Sequence, residues 1–201
     1  YLYIDDFCLP QLALDTTVPV ISLVGANPVS VEAGTAYNDE GATASDNFDG
    51  DISDSIAITG IVNTAIIGDY TVFYNVSDPA GNAATQITRT VYVRDTTIPV
   101  ITLLGANSVI IEEGITYTDA GATASDTYDG NISSNIAVTS NVDTAIIGDY
   151  TVFYNVSDAA ENAAVTVTRS VKVVYTTVPI ISLSGANSVT VEAGTTYTDA
   201  G

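Results

Sequence analysis

Apolar and polar residues alternate in short runs along most of the chain. In Tyr70–Ser77 the residues Tyr70, Val72, Tyr74 and Val76 share one parity, and a period of two is that of a half-buried β-strand. The same reading predicts strands at Tyr37–Ser45, Ile56–Thr59 and Ala84–Val93, after a first strand in two halves. Those halves, Val20–Leu23 and Val29–Glu32, are broken at Gly25-Ala26-Asn27-Pro28. Turn chemistry separates the strands at Gly34, at Gly68-Asp69 and at Asp78-Pro79-Ala80-Gly81-Asn82, and the polar stretch Asp46–Asp54 reads as a loop. No segment carries a helical period.

The pattern then recurs. Asp15-Thr16-Thr17-Val18-Pro19 returns as Asp95-Thr96-Thr97-Ile98-Pro99 and again as Tyr175-Thr176-Thr177-Val178-Pro179, a gapless period of 80 residues. Residues 15–94 and 95–174 are identical at 52 of 80 positions, and 64–78 is repeated without change at 144–158. The chain therefore divides into residues 1–14, a first repeat at 15–94, a second at 95–174, and the start of a third at 175–201. Tyr1–Leu9 alternates like the last strand of a preceding domain. A chain of 201 residues that starts at Tyr1 and has no Met reads as a segment of a longer polypeptide. About seven short strands in each 80-residue unit predict an all-β chain of tandem Greek-key β-sandwiches.

Gly68-Asp69-Tyr70-Thr71-Val72 has the spacing of the immunoglobulin tyrosine corner, with Val72 where antibody domains carry a cysteine. Together with DTTVPVISLVG, VEAGTAYNDEGATASD and GDYTVFYNVSDPAGNAA running into TRTVYV, it makes the chain resemble bacterial immunoglobulin-like repeats of the hyalin-repeat (HYR-like) kind. The resemblance covers 15–174 and the third copy as far as it goes, with Glu161 standing where the first copy has Gly81. It implies Ig-like modules of secreted or cell-surface proteins, where they serve as stalks, spacers and adhesin segments. Tyr70 and Tyr150 are then expected to be buried with their hydroxyls bonded to nearby backbone.

Composition removes most other functions. With 24 acids against 4 bases, a net charge of −20, no basic stripe exists to hold nucleic acid, and no apolar run is long enough to insert into a membrane. There is no His to serve as a general base or metal ligand, and Cys8 is the only cysteine, so no internal disulfide or thiolate zinc site can form. No phosphate-binding loop or nucleophile elbow is present, and the chain is expected not to be an enzyme. Arg89 falls on the inward parity of its strand, as does Arg169; either a bulge turns each outward, or each pairs with a carboxylate. Most of the twelve tyrosines occupy repeat-equivalent strand positions, so Phe48 and Tyr128 are the aromatics best suited to exposed contacts. The expectation is an extracellular stalk or adhesin segment whose first partners are the neighbouring repeats. The alternatives are a self-assembling filament, in which other copies donate a strand to complete 177–201, and a carbohydrate-binding module for surface glycans.

Ten acids fall in each full repeat, concentrated in loops. Asp46–Asp54 resembles a calcium loop in composition but not in the EF-hand pattern. In a Greek-key sandwich the second-to-third strand loop and the last hairpin lie at the linker end. That topology gathers Asp95, Asp126, Asp129 and Asp158, to which the far end of the first repeat adds Glu32 and Asp69. The same set one repeat earlier is Asp15, Asp46, Asp49 and Asp78. Calcium, which takes six to eight oxygens, is the cofactor expected at these junctions; without it the acids form only a solvated face.

Overall fold

A computed structural model describes residues 14–201; the strand expected in Tyr1–Leu9 and the thiol of Cys8 lie outside the described residues. The first repeat contains β1 (Val20–Leu23), β2 (Val29–Glu32), β3 (Ala42–Asp46), β4 (Gly50–Asp51), β5 (Ala57–Thr59), β6 (Gly68–Asn75) and β7 (Ile87–Arg94). One sheet has the order β1-β3-β4 and the other β2-β7-β6-β5. The two halves of the first strand therefore serve different sheets. β1 runs antiparallel to β3, whereas β2 runs parallel to β7 with Val29 opposite Val91. Gly25 makes the crossing with a φ of 80°, and a Cβ there would collide with the Glu40 carboxylate.

The second repeat copies this plan with β8 (Val100–Leu103), β9 (Ser108–Glu112), β10 (Ala122–Asp126), β11 (Gly130–Asn131), β12 (Ala137–Ser140), β13 (Gly148–Asn155) and β14 (Val167–Val174). Each repeat has its own core, because alternate residues of the two longest strands point between the sheets. In the first, Val72 and Tyr74 of β6 and Val91 of β7 meet Ile21 and Ala44; in the second, Val152, Tyr154 and Val171 meet Ile101 and Ala124.

Some expectations need correction. The segment expected as strand Tyr37–Ser45 pairs only from Ala42 onward, and the loop 46–54 contains the short β4 and a 3-10 turn at Ser53–Ser55. Residues 175–201 form no strand, and Ile180 and Ile181 are almost fully exposed. Tyr70 and Tyr150 do bond backbone, their hydroxyls donating to Ile66 O at 2.9 Å and Ile146 O at 2.8 Å, but both rings are half-buried rather than buried.

Arg89 is not turned outward. It is only 2% exposed, and its strand carries it between the sheets. Its guanidinium pairs with Asp39 and donates to the carbonyls of Val24 and Gly41, which belong to the ends of the opposite sheet. Asp39 in turn accepts the hydroxyls of Tyr74 at 2.6 Å and Tyr37 at 3.1 Å, and the guanidinium lies 5.8 Å from the Tyr74 ring centre. Arg169, Asp119, Tyr154 and Tyr117 repeat the arrangement. This explains why Tyr37–Gly41 is not strand: its side chains and carbonyls are committed to the buried cation. Burial favours the neutral acid at Asp39. The two tyrosine hydroxyls, the Gly41 N–H and Arg89 outweigh it and hold the carboxyl below its ordinary range. Tyr74 is pushed up by burial and by the carboxylate it bonds.

Removing one partner of a buried pair strands the other. Asp39→Ala should therefore destabilise its repeat by about 3–5 kcal/mol in denaturant unfolding, and Asp119→Ala should do the same in the second. Asp39 titrates lower when folded than when unfolded. Its contribution is thus complete above about pH 4 and lost as pH falls through the folded value; Asp39→Asn should flatten that acid limb. Tyr70→Phe, which gives up one hydrogen bond at a half-buried site, should cost about 0.5–1.5 kcal/mol.

Candidate metal centres

Among the described residues two groups of four aspartates form, one per repeat: Asp15, Asp46, Asp49 and Asp78, and Asp95, Asp126, Asp129 and Asp158. In each, one carboxylate oxygen per residue lies within 4.8 Å of the others. The topology brings them together from three places. Asp95 directly follows β7 in the five-residue joint 95–99; Asp126 ends β10, with Asp129 in the tight turn to β11; Asp158 opens the hairpin between β13 and β14.

Local hydrogen bonds fix each side chain. Asp126 Oδ1 accepts the N–H groups of Tyr128 at 2.7 Å and Asp129 at 3.0 Å, and Asp46 Oδ1 does the same for Phe48 at 2.7 Å and Asp49 at 3.3 Å. Asp158 holds Asn162 through both the backbone N–H and Nδ2, each at 2.8 Å, and the same Nδ2 donates to Asp95 O at 3.1 Å. Asn162 thereby pins the joint to the hairpin, as Asn82 does through Asp78 and Asp15 O. The asparagines were missed in the sequence, although their fixed place four residues after each hairpin aspartate was the available signal.

Asn162 and Asn82 occupy both oxygens of Asp158 and Asp78, whereas the linker aspartates and those that end β3 and β10 use only one. The Oδ2 atoms of Asp15, Asp46, Asp95 and Asp126 are buried and accept no hydrogen bond. Asp46, Asp95 and Asp126 are themselves more than nine-tenths buried. None of the four ion pairs among the described residues reaches a cluster carboxylate. Burial raises Asp95 above the ordinary carboxylate range, with the charges of Asp126 and Asp158 adding to it against the Thr97 N–H; desolvation and the charges of Asp15, Asp46 and Asp78 raise Asp49.

The two residues expected from the far end of the first repeat behave differently. Asp69 does not join the cluster: its carboxylate pairs with Arg94 at 2.6 Å. Glu32 reaches the junction but braces it instead of entering the four. It accepts the hydroxyl and N–H of Thr96 at 2.6 and 3.1 Å and those of Thr97 at 2.7 and 3.2 Å. The Thr96 and Thr97 donors lower its pKa to about 2. Glu112 grips Thr176 and Thr177 in the same way one repeat later. Tyr128 also belongs to the junction, its hydroxyl donating to Ala65 O of the first repeat at 3.2 Å, while the equivalent Phe48 is 64% exposed.

A family model described as "Bacterial surface protein, Ig-like domain" matches residues 21–93 and 101–173. The chain belongs to this family. Both bacterial surface Ig-like modules are thus matched from β1 to the end of the last strand. Among curated proteins, the chain is 33% identical over 163 residues to an uncharacterized 81.3 kDa protein of Acholeplasma phage L2, covering 76% of this chain. It is 32% identical over 149 residues, 68% of this chain, to the pesticidal crystal protein Cry22Aa of Bacillus thuringiensis. The chain spans about one fifth of these relatives' lengths, 22% and 20%. Similar solved structures include the M60 catalytic domain with two CBM51 domains from Clostridium perfringens ZmpB, with a TM-score of 0.45 at 15% identity over 79% of this chain and 31% of that one. Another is a lipoprotein of Bacteroides thetaiotaomicron, with a TM-score of 0.35 at 16% identity over 75% of this chain and 99% of that one. No helix among the described residues of these surface Ig-like modules is long and apolar enough to cross a membrane.

A buried carboxylate oxygen without a donor or cation opposes folding. In a solution cleared of divalent cations by chelator, Asp126→Asn should therefore raise the thermal midpoint of the second repeat by a few degrees. A lowered midpoint under those conditions would show that the ionised Asp126 is already compensated.

Proposed function

We propose that this chain is a non-catalytic spacer that carries another part of its parent protein away from a bacterial surface. The observation that carries this reading is the brace at successive junctions: Glu32 on Thr96 and Thr97, then Glu112 on Thr176 and Thr177. A joint of only five residues, with its threonines gripped by the preceding module at 95–99 and again at 175–179, favours a defined succession of modules over a flexible string. The absence of His from the sequence, and a lone Cys outside both modules, leave no familiar nucleophile–base pair.

Filament assembly is the second reading, favoured by one observation. Ile180, Ile181 and Leu183 are exposed where their counterparts in the two full modules lie in the first strand. A strand from another copy could complete such a partial module. Glycan binding has less behind it, because the Tyr128 hydroxyl is engaged at the junction and Phe48 stands alone.

Small-angle scattering of the full chain tests the first reading. An elongated particle whose distance distribution has two module-to-module maxima is the expected result, and two modules packed side by side would refute it. Sedimentation across a concentration series tests the second: growth into long assemblies supports it, and an unchanging monomer eliminates it.

A further inference from the structure

We propose that each four-aspartate cluster binds one calcium-class divalent cation, and that in the second cluster this binding is coupled to the Glu32 brace of the preceding module. The proposal holds whether the array serves as a spacer or a filament. Four independent features point to it.

The donor set consists of carboxylate oxygens alone, which suits a hard cation better than zinc or copper, whose preferred sites include nitrogen or sulfur. The spacing admits one ion. The clusters keep one oxygen per residue within 4.8 Å of the others, close enough for a single cation with bond lengths of about 2.3–2.6 Å to reach all four. Next, the side chains are prepared for a ligand that hydrogen bonds do not supply. Asp46, Asp95 and Asp126 are each more than nine-tenths buried, with one oxygen anchored by backbone N–H and the other without a partner. Finally, the same orphan oxygens recur at both clusters, 80 residues apart.

The coupling comes from one hydroxyl. In the first cluster Thr17 Oγ1 lies 2.6 Å from Asp15 Oδ1 and 2.6 Å from Asn47 Oδ1, so it competes for the linker aspartate. In the second, the equivalent Thr97 hydroxyl has swung to Glu32 Oε1 at 2.7 Å, and Asp95 Oδ1 keeps only the Thr97 N–H at 3.2 Å. The preceding module thus takes one hydrogen bond off the linker aspartate, leaving more of its negative charge for a cation at the free Oδ2, and orients the joint that carries it. By reciprocity, a cation that fixes Asp95 favours the Thr96–Thr97 geometry that Glu32 grips. Glu32 is therefore a positioning residue, outside the coordination shell.

Calorimetric titration of the full, chelator-stripped chain with calcium chloride should show two sites, the second the tighter. Asp126→Asn with Asp129→Asn should abolish one of them, and Asp46→Asn with Asp49→Asn the other. Glu32→Gln should leave both sites but weaken the second by roughly tenfold, the low end of what outer-shell partners contribute. Terbium adds a readout in the unaltered chain, its displacement by calcium, beside those of the variants. Tyr128 lies between Asp126 and Asp129 whereas the first cluster has Phe48, so tyrosine-sensitised emission should arise at the second site. It should fall in Tyr128→Phe and be quenched by added calcium. No saturable heat with calcium, and emission indifferent to Asp126→Asn with Asp129→Asn, would overturn the sites. Equal affinity with and without Glu32→Gln would overturn the coupling.

Discussion

One guanidinium between two sheets holds each module in register. A unit of about 80 residues has a small core and little margin, and this one has no disulfide to supplement it. Val72, at the position where antibody domains carry a cysteine, is paired across the sheet with Arg89, and Val152 with Arg169. Where a covalent bridge joins the sheets in other Ig-like folds, here a buried cation reaches from β7 to carbonyls and a carboxylate at the opposite edge. Such a pair adds little net stability over apolar residues of the same volume. Its geometry, with several acceptors and a tyrosine ring fixed around it, tolerates one relative placement of the sheets and few others.

The same economy governs the junction. Asp95-Thr96-Thr97 is read from both sides: its carboxylate faces the second module's acidic cluster, and its two threonines face the first module's glutamate. Three residues thus connect the end of one sandwich to the loops of the next. The third copy keeps the threonines, gripped by Glu112 of the second module, but Tyr175 replaces the aspartate. Successive junctions share the brace without sharing the full acid set.

Strand positions were legible because a period of two names the faces directly, as it did for β1, β2, β6 and β7. Loop acids were legible for a topological reason, since a Greek key returns alternate loops to one end whatever their side chains do. What the pattern could not supply was partnership across long separations. Alternation placed Arg89 inward, but its acceptor, Asp39, lies fifty residues earlier in a segment that looked like strand. Asp69 and Glu32 were both assigned to the right end of the module. Only side-chain reach decides that Asp69 meets Arg94 and that Glu32 bridges to the threonines.

The parallel pairing of β2 with β7 bears on load. The chain enters each module through β1 of the other sheet, crosses into β2, and leaves from the far end of β7, so tension carried past β1 pulls β2 and β7 in opposite directions along their length. Their hydrogen bonds lie across that direction and must fail together, unlike those of a hairpin peeled from its open end, which break one by one. Val29 to Glu32, set against Val91 to Arg94, form a shear clamp between the incoming half-strand and the outgoing strand.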